Sequence, residues 1–342
     1  MKNGKVTIHD IAKELNIDSS TVSRALSDNS RVTQKTKDRI LEKANELGYQ
    51  RNVLASNLRK NETKTIGVIV PRISRHFFSS VIAGIEETAY EAGYNVIICQ
   101  SLEQLSREKK IIDTLSANRV DGVLISISME TKNDSNLQVF HKTKTPIVFF
   151  DRHFDSSKTS NVIIDDFKSG FEATEHLILK GCKTIAHFSG PQELSIYKNR
   201  LNGYKAALEK YKINFEENLV INSKLMESDG VESAQKILAF DSVDGLFSAN
   251  DNAAIGAIKH FKSAGIQIPE DIAIVGFSNE PISAVIEPSL TTIDQPGLEM
   301  GKIATSLLLS QINKKMEDQA PQTIILESRL IERSSSQKIQ YQ

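Results

Sequence analysis

Cysteine is nearly absent: the chain has two in 342 residues. Cys99 and Cys182 lie far apart in apolar, strand-like settings, which reads as two buried free thiols rather than a disulfide. No apolar run approaches the ~20 residues needed to span a bilayer. The opening M-K-N-G-K-V-T-I-H-D has no apolar stretch of the signal-peptide kind, so a cytoplasmic protein is expected. Catalytic signatures are missing as well. There is no G-x-G-x-x-G or Walker loop, no G-x-S-x-G elbow, no H-E-x-x-H and no C-x-x-C. The seven histidines are dispersed and never four apart. The acid pairs Glu86-Glu87, Asp165-Asp166 and Glu216-Glu217 read as solvated faces or strand ends rather than a catalytic dyad. These absences argue against an enzyme and call for no metal and no cofactor.

What is present is an ordinary globular composition, 39% hydrophobic and 25% charged, in a chain long enough for two or three domains. The net charge of −1 hides a division. Residues 1–60 hold 12 Lys/Arg against 7 Asp/Glu, and the remainder 30 against 36. A basic head on an acidic body points to an anionic partner for the head alone.

Three short helices are legible in the head. Thr7 caps the first, with Asp10 as a weak capping-box partner, and Ile8, Ile11, Ala12 and Leu15 form its apolar face. Asn16-Ile17 makes a turn, and Asp18 caps the second helix. There Val22, Ala25 and Leu26 share one face, leaving Ser19, Ser20, Ser23 and Arg24 outward. An outer face of small hydroxyls with one arginine suits a helix that must lie close to something polar. Thr33 caps the third helix, with Ile40, Leu41, Ala44 and Leu47 inward and Gly48 as its stop. Two helices across a tight turn, braced by a third, form a helix-turn-helix, whose second helix enters the DNA major groove.

The run V-T-I-H-D-I-A-K-E-L-N-I-D-S-S-T-V-S-R-A-L-S resembles the DNA-binding head of the lactose-repressor/galactose-repressor (LacI/GalR) family. The resemblance implies that Ser19 and Ser20 read base edges, that Thr21, Ser23 and Arg24 contact bases or phosphates, and that Thr7 belongs to the same interface. Arg24 is suited to bidentate pairing with guanine, worth about 1–3 kcal/mol of discrimination. For the next segment, residues 51–62, the resemblance implies a hinge helix that orders on DNA. Asn52 and Ala55 would lie against the minor groove and Leu58 would wedge into the central base step. The family usually has proline where this chain has Arg51, so a looser entry to the hinge is expected.

From residue 63 onward, β-branched runs alternate with amphipathic helical stretches, the pattern of parallel sheets covered on both faces. D-G-V-L-I-S at 121–126 echoes D-G-L-F-S-A at 244–249, which fits two similar lobes with a cleft between them. The body also resembles the family's effector domain, which is similar to periplasmic sugar-binding proteins, through I-G-V-I-V-P-R, P-I-V-F-F-D-R, N-R-L-N-G-Y-K-A-A-L, S-A-N-D-N-A-A-I-G-A and I-P-E-D-I-A-I-V-G-F. The resemblance implies three crossings between lobes, near 161–164, 290–293 and 322–326. Lobe 1 is then about 63–162 with 292–323, and lobe 2 about 163–291 with 324–342.

Effector positions carried over from the resemblance are Phe77 and Phe78 for stacking on a sugar ring, Asp151 for hydroxyls, Arg200 for ligand oxygens, and Asn250 and Asp251 at a helix start. Where the family usually has an acid after G-F this chain has Ser278, with Asn279 as a partial substitute. Arg72, Arg75, His76, Arg152, His153 and Arg200 all fall on cleft loops, which favours an anionic saccharide such as a uronate or sugar phosphate.

The expected fold is therefore α plus α/β: a helix-turn-helix head at 1–50, a hinge at 51–62, and a two-lobed effector and dimerisation domain at 63–342. The expected function is that of a ligand-responsive transcription regulator, most simply a repressor of carbohydrate-utilisation genes. It would bind a near-palindromic operator as a homodimer and respond to a small saccharide. A periplasmic-type sugar receptor is the alternative, which leaves the basic head unexplained. An enzyme with a regulatory head is a third, which lacks any nucleophile or metal constellation.

Overall fold

The structure, a computed structural model, describes residues 6–27, 30–49, 62–154, 159–240, 243–313 and 320–338. The chain divides into two compact units, residues 1–63 and 64–342.

The first unit contains three helices: α1 (Ile8–Leu15), α2 (Ser19–Leu26) and α3 (Gln34–Glu46). The Asp10 carboxylate accepts from Thr7 N at 2.8 Å and Thr7 Oγ1 at 2.7 Å, which pins the start of α1. Asn16 takes the left-handed conformation at φ 50°, as short polar side chains tolerate, and turns the chain into α2. Asp18 accepts from Ser20 N at 2.6 Å. Ile11, Val22, Ala25 and Ile40 are among the buried side chains that knit the three helices into one small core. Two expectations are corrected. Thr33 occupies the N-cap of α3, but its hydroxyl pairs with that of Thr36 at 2.9 Å rather than with a backbone amide. Leu41 is 47% exposed, because the buried stripe of α3 follows Ile40 and Ala44, i and i+4, and position 41 falls one step off it.

The second unit is built on two six-stranded sheets. The first has the order β11-β5-β4-β3-β1-β2, with β1 (Thr65–Val70), β2 (Asn95–Gln100), β3 (Gly122–Ile125), β4 (Ile147–Phe150), β5 (Ser160–Ile164) and β11 (Thr323–Leu326), all neighbours parallel. The second has the order β12-β10-β9-β8-β6-β7, with β6 (Ile185–Ser189), β7 (Val220–Asn222), β8 (Gly245–Ser248), β9 (Ala273–Phe277), β10 (Thr291–Asp294) and β12 (Arg329–Ile331). Only β12 in it runs antiparallel. β1, β3, β4, β8 and β9 are almost wholly apolar and buried, as strands covered on both faces must be.

The internal echo is a structural one. β3 and β8 hold the same place in their sheets, and the aspartate before each does the same work. Asp121 accepts from Lys64 N at 2.8 Å, just before β1. Asp244 accepts from Thr184 N at 2.8 Å, just before β6. The crossings between sheets fall where expected, after Ile164, Asp294 and Leu326, but the lobe bounds lie a few residues later than drawn. Residues 163–164 and 324–326 thus belong to the first sheet, and 292–294 to the second. Each connecting strand stays paired to its end before leaving the sheet, and sequence pattern does not show ladder register.

The remaining helices of the body are α4 (His76–Glu91), α5 (Leu105–Ala117), α6 (Gln138–Thr143), α7 (Asp166–Leu179), α8 (Ser195–Lys210), α9 (Glu227–Ile237), α10 (Asp251–Ser263) and α11 (Gly297–Asn313). α7 and α8 pack so closely that a Cβ on Gly170 would lie 2.4 Å from Arg200 O. Among the described residues, no helix is long and apolar enough to cross a membrane.

Candidate functional site: a recognition helix and an interlobe cleft

In the first unit, Asp18 organises α2. Its carboxylate, held below the usual carboxylate range by hydrogen bonding to Ser20, fixes the N-terminal turn. Ser20 and Arg24 are exposed and Ser19, Thr21 and Ser23 half-buried, while Val22 and Ala25 face the core. Thr7 is exposed at the start of α1. The helix therefore presents small hydroxyls and one guanidinium outward with little side-chain bulk, a face that a groove can approach closely. Asn52, Ala55 and Leu58 lie outside the described residues.

In the second unit a cavity of about 360 Å³ opens between the two sheets, at the carboxyl ends of their strands. Most of the wall residues follow a strand or start a helix, and Arg200 lies further along α8. Arg72 and Arg75 follow β1, Asp151 and Arg152 follow β4, Lys224 follows β7, Asn250 follows β8, Ser278 follows β9 and Gln295 follows β10. Phe77 and Phe78, in the first turn of α4, form an edge-to-face pair with centroids 5.2 Å apart.

Asp151, also on the wall, is buried and sits at φ 59°, a conformation costly for a residue with a Cβ. Burial raises its carboxyl above the usual range, while Arg152 and Arg200 pull the other way. Ser126 Oγ approaches it at 3.3 Å. Arg152 Nε stops 3.9 Å from Asp151 Oδ2, too far for a hydrogen bond, and has no other acceptor among the described residues. Gln295 Nε2 lies near the same carboxylate without closing a bond to it. Ser278, at φ 100°, donates from Oγ to Gln295 Oε1 at 2.9 Å and so orients that amide. The wall thus joins a buried carboxylate, two buried donors beside it and two aromatic rings.

Arg200 is 3% exposed. Its Nε donates to Asp166 Oδ1 at 2.7 Å and its Nη1 to Ala249 O at 2.8 Å, while Cζ lies 3.5 Å from the Phe277 ring centroid. It lines the cavity from within a fixed cage. Burial pushes the Asp166 carboxyl up to about 6, against the pull of Arg200. The acid pair 165–166 is thus not a solvated face: Asp165 caps α7 through Lys168 N at 2.8 Å, and Asp166 is a buried ion-pair partner.

Asp251 does not line the cavity. Its carboxylate accepts from Thr292 Oγ1 at 2.7 Å, Ser283 Oγ at 2.8 Å and Glu280 N at 2.8 Å. It is the buried tie that holds the loop after β9, and burial raises its carboxyl to about 7. Adjacent Asn252 faces the cavity instead. Asn250 is at the cavity, with its amide engaged by Ala253 N at 2.9 Å and Leu225 O at 2.9 Å. Asn279 does not replace the missing acid, because it pairs with Asp294 and Arg333. Glu280, one residue on, supplies a carboxylate to the wall. Of the six expected cations, His76 lines a neighbouring cavity and His153 neither.

Tyr197, Lys224, Glu280 and Gln295 line the cleft and were not foreseen. Tyr197 was findable, since it sits three residues before Arg200 on one helix face. Lys224 was not, because three-residue β7 is too short to show a period.

A two-lobed body with a cleft for a small molecule, on a chain with a helix-turn-helix head, defines a DNA-binding regulator controlled by a ligand. The family of bacterial regulatory proteins of the lacI type matches residues 7–52, and a periplasmic binding protein-like domain matches residues 174–336. The HTH-type transcriptional regulator RegA of Clostridium saccharobutylicum is 31% identical over 332 residues, 96% of this chain and 99% of the relative. The ribose operon repressor of Halalkalibacterium halodurans is 31% identical over 91% of this chain and 92% of its own. The solved structure of the transcriptional regulator CelR–cellobiose complex is similar over 97% of this chain and 100% of that one, with a TM-score of 0.74 and 26% identity. The chain belongs to the LacI family; it is a transcription regulator and not an enzyme.

Proposed function

We propose that this regulator is a cytoplasmic repressor of carbohydrate-utilisation genes. It acts as a homodimer on a near-palindromic operator and is controlled by a saccharide in the interlobe cleft. The observation that carries the reading is an interlobe cavity whose wall carries the Asp151 carboxylate, Arg200 and Asn250 together with the Phe77–Phe78 pair. Sugar hydroxyls donate and accept at once, so a ring in the cleft can hydrogen-bond to the Asp151 carboxylate while its apolar face meets the phenyl rings. The two relatives named for sugars, a ribose operon repressor and a regulator bound to cellobiose, support that class.

Two-fold symmetry follows from the head, because one recognition helix reads one half-site. Ligand closes the lobes and changes the spacing of the two hinges, so the ligand shifts operator occupancy by its differential affinity for the two arrangements. Residues Ser19, Ser20, Thr21, Ser23 and Arg24 are assigned to the major groove, and Asn52, Ala55 and Leu58 to the minor groove. Leu58→Ala removes a wedge but no charge, so specific binding should weaken while non-specific affinity is kept. Fluorescence anisotropy on specific and scrambled duplexes checks this, and equal losses on both would contradict the wedge role.

A further inference from the structure

The cleft wall carries more positive charge than its own acids use. Arg152 is spent on Glu103, 2.9 Å away, and Arg200 on Asp166. Arg72, Arg75 and Lys224 have no ion pair among the described residues. Among the described residues, the acids that share the wall form no ion pair with these three cations, although Glu280 attracts Arg75 at longer range. Glu103 also accepts from Met129 N at 2.9 Å, Glu130 from Leu105 N at 2.8 Å, and Glu280 from His76 N at 3.4 Å.

The free cations also converge. Arg75 Nη2 reaches Met226 Sδ at 3.5 Å, so a first-lobe guanidinium touches the second-lobe loop that bears Lys224 two residues earlier. A thioether is a weak acceptor and does not replace a carboxylate. Burial holds the Arg75 guanidinium below its ordinary proton affinity, Glu280 opposes this, and Arg72 adds to it by like-charge repulsion. Three cations from two lobes, two of them half-buried, thus line one cavity, and charge of this kind suits an anionic ligand.

We propose that the effector is a saccharide bearing an anionic group, a carboxylate or a phosphate. Its charged end is held by Arg72 and Arg75 of one lobe and Lys224 of the other, and its ring lies between Phe77–Phe78 and Asp151. The inference rests on reading the cleft as the effector site. It also supplies the closing force: an anion shared by both lobes lowers the energy of the closed arrangement more than that of the open one.

The test is calorimetric titration of the full chain with glucose, galactose, glucuronate, galacturonate, glucose 6-phosphate and galactose 6-phosphate. At least one acid or phosphate should bind while its neutral parent binds at least about tenfold more weakly. Binding confined to the uronates assigns a carboxylate, and binding confined to the phosphates assigns a phosphate. In Arg72→Gln/Arg75→Gln, the affinity for that probe should fall about a hundredfold, and in Lys224→Gln about tenfold, with the ligand-free melting temperature unchanged or raised by relief of repulsion. The proposal is overturned if a neutral sugar binds as tightly as its acid and phosphate, if no anionic probe binds, or if the anion binds the double variant as tightly as the parent chain. Operator binding measured without any probe tests the regulator reading separately, and its failure leaves the calorimetric result to stand or fall by itself.

Discussion

Arg200 shows how far a single residue's role can be read from its neighbours. The resemblance assigned it to ligand oxygens, and it does line the cleft. What the sequence did not show is that its Nε is committed to Asp166 in a buried pair. Removing one partner of such a pair leaves the other charge unpaired, at a cost of about 3–5 kcal/mol. Arg200→Ala should therefore destabilise the body by about that amount as well as abolish the ligand response, and Asp166→Asn/Arg200→Met should recover most of the loss. Urea unfolding of the three proteins checks it, and no recovery in the double variant would mean that the pair is not the source of the loss.

His187 gives a second residue-scale prediction. It is fully buried between Tyr204 and Phe247, centroids 5.1 and 4.7 Å away, with Nδ1 3.0 Å from Phe247 O. Burial drops its pKa from 6.5 to about 3. The unfolded chain thus takes a proton below 6.5 that the fold refuses until about 3, so stability present above pH 6.5 is lost as pH falls through that window. His187→Phe keeps the stack and removes the proton site, so its stability should depend less steeply on pH between 6.5 and 4, read by urea melts.

At the scale of elements, patterns of period and capping were legible and lengths less so. The strand runs and most helices were readable because apolar periodicity reports the buried face directly. Helix α8 begins at Ser195, so Arg200 sits inside the helix and is positioned by the packing of α8 on α7. That packing depends on Gly170. A methyl there would meet Arg200 O at 2.4 Å. Gly170→Ala should push α8 away, destabilise the body by about 1–3 kcal/mol and weaken effector binding, although residue 170 touches no ligand. Thermal melts with calorimetry check both effects. Asp251 failed as a site residue for a related reason: S-A-N-D gives the start of α10, but whether position 250, 251 or 252 faces the cleft depends on the turn of the backbone there.

For the molecule as a whole, the division into basic head and acidic body, the two-lobed α/β body and the doubled D-G-V/L motif were all visible in the chain. The crossings were placed correctly, but the lobe bounds were drawn a few residues early because a strand's end is set by its hydrogen-bonded neighbour, which lies far off in sequence. The cleft's charge balance was equally hidden. Six cations were evident, but which of them the opposing acids neutralise is decided only by three-dimensional pairing.

The central claim is that the head binds a symmetric DNA site under control of the cleft. Selection from a random duplex pool with the full chain, followed by anisotropy titration of the enriched sequence and its scrambled version, tests it most directly. The account predicts an enriched near-palindrome, bound about a thousandfold or more tighter than the scrambled duplex, with a log–log salt slope of about −0.9 for each phosphate neutralised. A pool without a symmetric motif, or equal affinity for both duplexes, would contradict it.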